Sequence, residues 1–257
     1  MNLKQLAEAG LMKTRLCVWL GTSLICLLPT AAAERGKTTE PKRDSQMLVE
    51  PAQLQKMLND RNLRILDVRS MEEYSKAHIL GAVRVDVGDW KSLATADDGL
   101  HDVKGWAVKL GSLGITSKSH VVVYGGRLTD TARIWWLLKY VGVENASLLN
   151  GSWESWPKSN RPAETSPPKI AATEFKPAFQ ADRLEVIDTL KKSLKSDKLK
   201  VVDARSDSEF AGGRIPGSAH LEWKELLAKD GRFKTKSQLA ELFRKRGIKR
   251  SETAVCY

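Results

Sequence analysis

Leu63-Arg64-Ile65-Leu66-Asp67-Val68-Arg69-Ser70-Met71-Glu72-Glu73-Tyr74 recurs as Leu199-Lys200-Val201-Val202-Asp203-Ala204-Arg205-Ser206-Asp207-Ser208-Glu209-Phe210. Leu, Asp, Arg, Ser and Glu coincide at identical spacing, and the aromatic position is kept. The agreement continues from His78-Ile79-Leu80-Gly81-Ala82 to Arg214-Ile215-Pro216-Gly217-Ser218, at an offset of 136. Farther on, Gly114-Ile115 and Val121–Tyr124 match Gly247-Ile248 and Ala254-Val255-Cys256-Tyr257 at an offset of 133, so three residues are lost between the blocks. Self-similarity of this extent means two copies of one domain, and 257 residues accommodate two domains of ordinary size.

Within the first copy, strands and helices alternate. Leu63–Leu66, Val83–Val87, His120–Tyr124 and Ala146–Leu149 are short, apolar and bounded by polar or glycine residues, which suits buried strands. Ala52–Leu58, Trp106–Leu113 and Thr129–Val141 have helical spacing; Thr129 or Asp130 stands at a capping position and Gly142 where the last helix should end. This order predicts an α/β fold: two tandem domains, each a mostly parallel sheet with helices on both faces. The expected organisation is a signal peptide at 1–33, a polar tether at 34–45, a first domain at 46–160, a linker at 161–181 carrying Pro162, Pro167, Pro168 and Pro177, and a second domain at 182–257. The second copy has no counterpart of Gly125–Trp156, so the sequence reads as stopping inside that domain.

Composition narrows the class. With 42% hydrophobic and 28% charged residues the chain is globular. Met12-Lys13-Thr14-Arg15, the apolar run Leu16–Leu28 and Ala31-Ala32-Ala33 have the three-part layout of a secretory signal, too short to span a bilayer, with Met12 as an alternative start. Export to the periplasm or the medium, with no stable membrane span after cleavage, is the expectation. Of three cysteines, Cys17 and Cys26 fall in that signal, leaving Cys256 and no intramolecular disulfide. The net charge of +11 is uneven: residues 183–257 hold 18 basic against 11 acidic side chains, residues 46–160 hold 14 against 13. Lys191, Lys192, Lys195, Lys198 and Lys200 lack the interleaved aromatics of a nucleic-acid groove, so no nucleic-acid partner is expected. His78, His101, His120 and His220 have no metal-ligand spacing, and neither metal nor cofactor is implied.

Ligands of open α/β sheets sit beyond the carboxyl ends of the strands. There the first copy has Gly125-Gly126-Arg127-Leu128 leading into a helix. This is either an anion cradle of backbone N–H groups reinforced by Arg127 or an ordinary glycine turn; it contains no Cys, Ser or His. Asp203 and Arg205, like Asp67 and Arg69, either line a site or form a salt bridge fixing the strand end.

Taken together, Asp67-x-Arg69, Glu73-Tyr74, His78-Ile79-x-Gly81-Ala82, Val121–Tyr124 and Leu149-Asn150-Gly151-Ser152-Trp153-x-x-Trp156 resemble the rhodanese family, and the whole chain from about residue 46 is similar to a tandem-domain sulfurtransferase. The resemblance implies a small anionic sulfur donor such as thiosulfate, a thiophilic acceptor, and a cysteine persulfide formed in a loop directly after the strand of the second domain. It makes Gly125, Gly126 and Arg127 the loop of an inactive first copy, with Gly125 in the cysteine position. In the second copy the nucleophile is expected immediately after Tyr257, so no catalytic residue lies in the sequence given; Cys256, matched to Val123, is read as a strand residue. Mercaptopyruvate-type members carry an arginine where this chain has Glu209, which tilts the donor towards thiosulfate. Two alternatives stand beside sulfur transfer: an inactive module binding an anion or a partner, and a phosphatase, whose cysteine loop is one residue longer.

Overall fold

The computed structural model describes residues 14–15, 47–157, 160–196 and 198–257. The predicted signal segment and tether lie outside the described residues, except for β1 (Thr14–Arg15). The first unit runs β2 (Leu48–Val49), α1 (Pro51–Met57), β3 (Leu63–Asp67), α2 (Met71–Lys76), β4 (His78–Ile79), β5 (Ala82–Arg84), α3 (Val87–Thr95), α4 (Val103–Ser112), β6 (His120–Tyr124), α5 (Leu128–Tyr140) and β7 (Ala146–Leu149). A short β8 (Ala163–Glu164) pairs antiparallel with β4. The second unit follows as α6 (Ile187–Ser193), β9 (Leu199–Asp203), α7 (Asp207–Gly212), β10 (Ala219–His220), α8 (Lys236–Lys245) and β11 (Thr253–Cys256).

Five strands form the first sheet in the order β2-β7-β6-β3-β5, all parallel. Side chains alternate across it. Leu63, Ile65, Val122 and Tyr124 join Leu54 of α1 and Trp156 on one face; Leu66, Val121 and Val123 join Trp106, Leu110, Ile134 and Leu137 on the other. Burial on both faces is why Val121-Val122-Val123-Tyr124 is an unbroken apolar run rather than an alternating one. The second sheet has the order β1-β11-β9-β10, with β11, β9 and β10 parallel and β1 antiparallel to β11. The pairing of β9 between β10 and β11 repeats that of β3 between β5 and β6. Its core is small: Leu190, Val201, Ile215 and Val255. Helix α8 buries no residue fully, and Leu239, Leu242 and Phe243 stay half-buried.

Three local readings change. The strand expected through Val87 ends at Arg84, because the Asp86 carboxylate accepts from the Gly88 and Asp89 N–H groups and starts α3. Helix α5 is entered from Arg127, with no side-chain cap, so Thr129 and Asp130 lie in its first turn rather than at its cap. The proline-rich connection is strapped to the first unit. Thr173 N–H donates to the Gly111 carbonyl at 2.9 Å, Ala178 N–H to Val141 at 3.0 Å and Gln180 N–H to Tyr140 at 2.8 Å, while Phe175 is buried in the core. A Cβ at Gly111 would stand 2.4 Å from the Thr173 carbonyl oxygen, so only glycine admits the strap there.

The units also meet directly. Phe233 N–H donates to Asn150 Oδ1 at 2.9 Å, Asn150 Nδ2 donates to Glu50 Oε1 at 2.6 Å, and Arg232 pairs with the same glutamate at 3.3 Å.

Candidate active site

Each central strand ends in an aspartate whose fully buried carboxylate is gripped by the arginine two residues on. Arg69 Nη2 donates to Asp67 Oδ2 at 2.6 Å and to the Ala77 carbonyl at 2.8 Å. Arg205 Nη2 makes the same contacts with Asp203 Oδ2 at 2.6 Å and with the Gly213 carbonyl at 2.7 Å, while its Nε donates to Asp203 Oδ1 at 3.0 Å. The forked, charge-assisted geometry ties the strand end to the close of the following helix. Burial pushes the Asp203 carboxyl up, but the hydrogen bonds from Arg205 outweigh it and its pKa lies below the usual carboxylate value. Arg205 is raised, chiefly by its bond to Asp203. The two residues therefore meet in a salt bridge, and the Asp203 carboxylate faces its arginine rather than solvent.

The next turn is also duplicated. Ser70 and Glu73 form a capping box on α2, and Ser206 and Glu209 form one on α7. Glu209 accepts from Ser206 N–H at 3.1 Å and from its hydroxyl at 2.6 Å, and these bonds lower its pKa. Glu209 is thus an anion fixed in place by a local folding rule.

A tyrosine stands at the matching point of the neighbouring strand. Tyr124 Oη accepts from Ile79 N–H at 3.1 Å, and Tyr257 Oη accepts from Ile215 N–H at 2.8 Å. Burial pushes both phenols up, so they remain protonated. The guanidinium of Arg69 stacks 4.1 Å from the Trp153 ring and 5.5 Å from Tyr124; that of Arg205 lies 5.1 Å from Tyr257.

After Tyr124 the chain enters Gly125-Gly126-Arg127. Gly125 is buried, Gly126 and Arg127 are exposed, and Arg127 pairs loosely with Asp130 at 3.6 Å. The first N–H groups of α5 open on this loop, which gives it positive potential. Two residues that the sequence did not single out close its base. Ser152 Oγ accepts from Gly125 N–H at 2.9 Å and donates to the Gly125 carbonyl. To do so Ser152 holds φ +51°, ψ −152°, a region costly for any residue but glycine. Val68 packs against Gly125 so closely that a Cβ there would lie 2.2 Å from Val68 Cγ2. The difference between Val68 and Ala204 in the repeat was the visible signal. Cys256 sits in β11, paired with Val202 of β9. Among the described residues no three His, Cys, Asp or Glu side chains are grouped to hold a metal ion, and no helix is long and apolar enough to cross a membrane.

The chain is similar to several known proteins. Thiosulfate sulfurtransferase of Gallus gallus is 27% identical over 217 residues, covering 76% of this chain and 75% of its own. The 3-mercaptopyruvate sulfurtransferase of Homo sapiens is 26% identical over 198 residues, covering 71% and 67%. The crystal structure of the 3-mercaptopyruvate sulfotransferase SseA from Escherichia coli matches with a TM-score of 0.71 at 28% identity, over 81% of this chain and 86% of that one. The rhodanese-like domain model matches residues 50–159 and again 186–257. With two matched segments, the same central strand pairing in both sheets and sulfurtransferase relatives, the chain belongs to the rhodanese-like domain family and is of the sulfurtransferase kind.

Proposed function

We propose that this protein is an exported sulfurtransferase that moves sulfane sulfur from thiosulfate to a thiophile through a persulfide on a cysteine following Tyr257. One observation carries the reading. Ala204 N–H donates to the Tyr257 carbonyl at 2.9 Å, as Val68 N–H donates to the Tyr124 carbonyl at 2.9 Å. This shared bond puts Tyr257 in the register of Tyr124, which supports reading the position after it as the counterpart of Gly125. A thiolate there attacks the outer sulfur of thiosulfate; the S–S bond breaks and sulfite leaves with the electron pair. A thiophile then takes the terminal sulfur, and the thiolate returns. Backbone N–H groups opening a helix stabilise both the thiolate and the persulfide anion.

The excess of basic side chains in residues 183–257 favours an anionic donor. Glu209 presents an anion held by Ser206, and supplies no cation for the carboxylate of a mercaptopyruvate-like donor. Export rests on the signal-like layout of residues 1–33.

The test uses the chain carrying the residue after Tyr257, supplied with thiosulfate and cyanide. Thiocyanate release, with one added sulfur on that cysteine by mass spectrometry, is the expected result. Absence of both overturns sulfur transfer. Faster turnover with mercaptopyruvate overturns the choice of donor.

A further inference from the structure

We infer that the amino edge of the second sheet is a docking surface for a membrane carrying anionic lipid headgroups. Bound there, the protein holds the carboxyl edge of the same sheet away from the lipid.

Two loops meet at the amino edge. One joins α6 to β9 and the other joins α8 to β11, and Thr253 N–H donates to the Lys198 carbonyl at 2.7 Å where they run side by side. The first unit closes its sheet in the same way, with His120 N–H donating to the Asn62 carbonyl at 2.9 Å. The backbones therefore correspond, and side chains can be compared place by place. At the offsets of the repeat, Asn59, Asn62, Thr116 and Ser117 become Lys195, Lys198, Lys249 and Arg250. Four uncharged residues are exchanged for four cations in turns that the first unit forms without them. Local folding does not account for the charge.

All four cations are exposed. Nearby basic side chains are matched: Lys191 with Asp188 at 3.9 Å, Lys245 with Glu241 at 3.3 Å and Arg246 with Glu225 at 2.5 Å. Lys249 has Glu252 at 3.8 Å, a carboxylate that also accepts from the Lys249 N–H. Among the described residues, Lys195, Lys198 and Arg250 have no acidic group within ion-pair distance. In the sequence Asp197 stands between the two lysines, and Lys192 in the last turn of α6 offsets it.

The partner follows from what accompanies the cations. Their exposed neighbours are Ser196 and Ser251, and among the described residues of the two loops no large apolar side chain is exposed. A protein interface is anchored by aromatic residues and depleted in lysine, and a nucleic-acid strand is held on aromatic platforms. An anionic lipid surface requires only cations that reach its headgroups, each worth about fivefold in affinity. Orientation comes from the strand. Lys198 adjoins Leu199, the first residue of β9, and Asp203 is the last, about 13 Å away at the usual strand rise. Contact at one end leaves the Asp203–Arg205 end facing solution.

The test sediments the full chain with vesicles of phosphatidylcholine, alone or with about 30 mol% phosphatidylglycerol. Binding should require the anionic lipid and weaken at least about tenfold between roughly 0.05 M and 0.5 M salt. In the bound wild type, Lys195, Lys198 and Lys249 should be shielded from acetylation by an N-hydroxysuccinimide ester, and Lys56, Lys91, Lys104 and Lys118 of the first unit should not. Giving the edge the residues of the first unit, Lys195→Asn, Lys198→Asn, Lys249→Thr and Arg250→Ser together, should weaken binding at least about a hundredfold. Removing the same charge elsewhere, with Lys56→Gln, Lys91→Gln, Lys104→Gln and Lys118→Gln, should change it less than about threefold, because salt screens distant charges.

No binding, equal binding to both vesicles, binding unmoved by salt, unshielded edge lysines, or equal weakening by the two sets of substitutions would each overturn the inference. So would tighter binding, at matched charge, to single-stranded DNA or to polyglutamate, which would assign the edge to a nucleic acid or an acidic protein. The shielding measurement uses the wild type alone and decides the matter even where the exchanged edge fails to fold.

Discussion

In the first unit Asp67 and Arg69 lie beneath Trp153 and Tyr124, within a sheet covered on both faces and backed by the strapped connection. In the second, the Arg205 guanidinium lies over Tyr257, Arg205 keeps 16% side-chain exposure against 3% for Arg69, and the helix α8 buries no residue fully. The same sequence device therefore works in two dielectrics. In the first it is a component of a finished core; in the second it is an ordered strand end with lighter cover.

The largest expected effect tests that difference. Asp67→Ala leaves the buried Arg69 guanidinium without its carboxylate and should cost about 3–5 kcal/mol in urea unfolding. Asp203→Ala should cost less, about 2 kcal/mol, because water reaches Arg205 more readily. Equal losses would break the comparison.

Acid should expose the second unit through the same pair. The folded-state pKa of Asp203 is lowered, so its contribution is complete above the unfolded aspartate value near 3.9 and is lost as pH falls through the lower folded value. Urea titrations of the wild type and Asp203→Asn between pH 5 and 2 should converge as pH drops. A constant gap would show that the carboxylate charge is not what Arg205 stabilises.

The smallest effect concerns the base of the first loop. Ser152→Gly removes the backbone strain, about 1–3 kcal/mol, but also the hydroxyl bonds to Gly125, about 1 kcal/mol each, so net stability should move by no more than about 1 kcal/mol. The sharper readout is hydrogen exchange, since the Gly125 amide should lose protection. Unchanged protection would mean that Ser152 does not hold that amide.

The repeat, read from Asp67-Val68-Arg69 and Asp203-Ala204-Arg205, carried the fold and the family, because strand order and helix alternation follow from local apolar patterns. Helix α3 was hidden. Its start depends on Asp86 capping Gly88 and Asp89, and Val83–Val87 alone has strand composition. The strap was hidden too, since Thr173, Phe175 and Ala178 find their partners in Gly111 and Val141 only after the chain has turned back. At the candidate site, Gly125 and the Asp–Arg pairs were legible as residue types, but their alternatives stayed open in the sequence.

By itself, then, the sequence determined two copies of one α/β unit, a first loop without a nucleophile and an uneven positive charge. Spacing and residue type suffice for those, being properties of short segments. Only the tertiary structure decided that Asp203 faces Arg205, that Ser152 closes onto Gly125, and that a γ carbon of Val68 occupies the space a side chain at 125 would need. The first joins residues two apart, but burial of the strand end sets its geometry; the other two are contacts between segments brought together by the sheet, where distances of a few ångströms are fixed by register and packing.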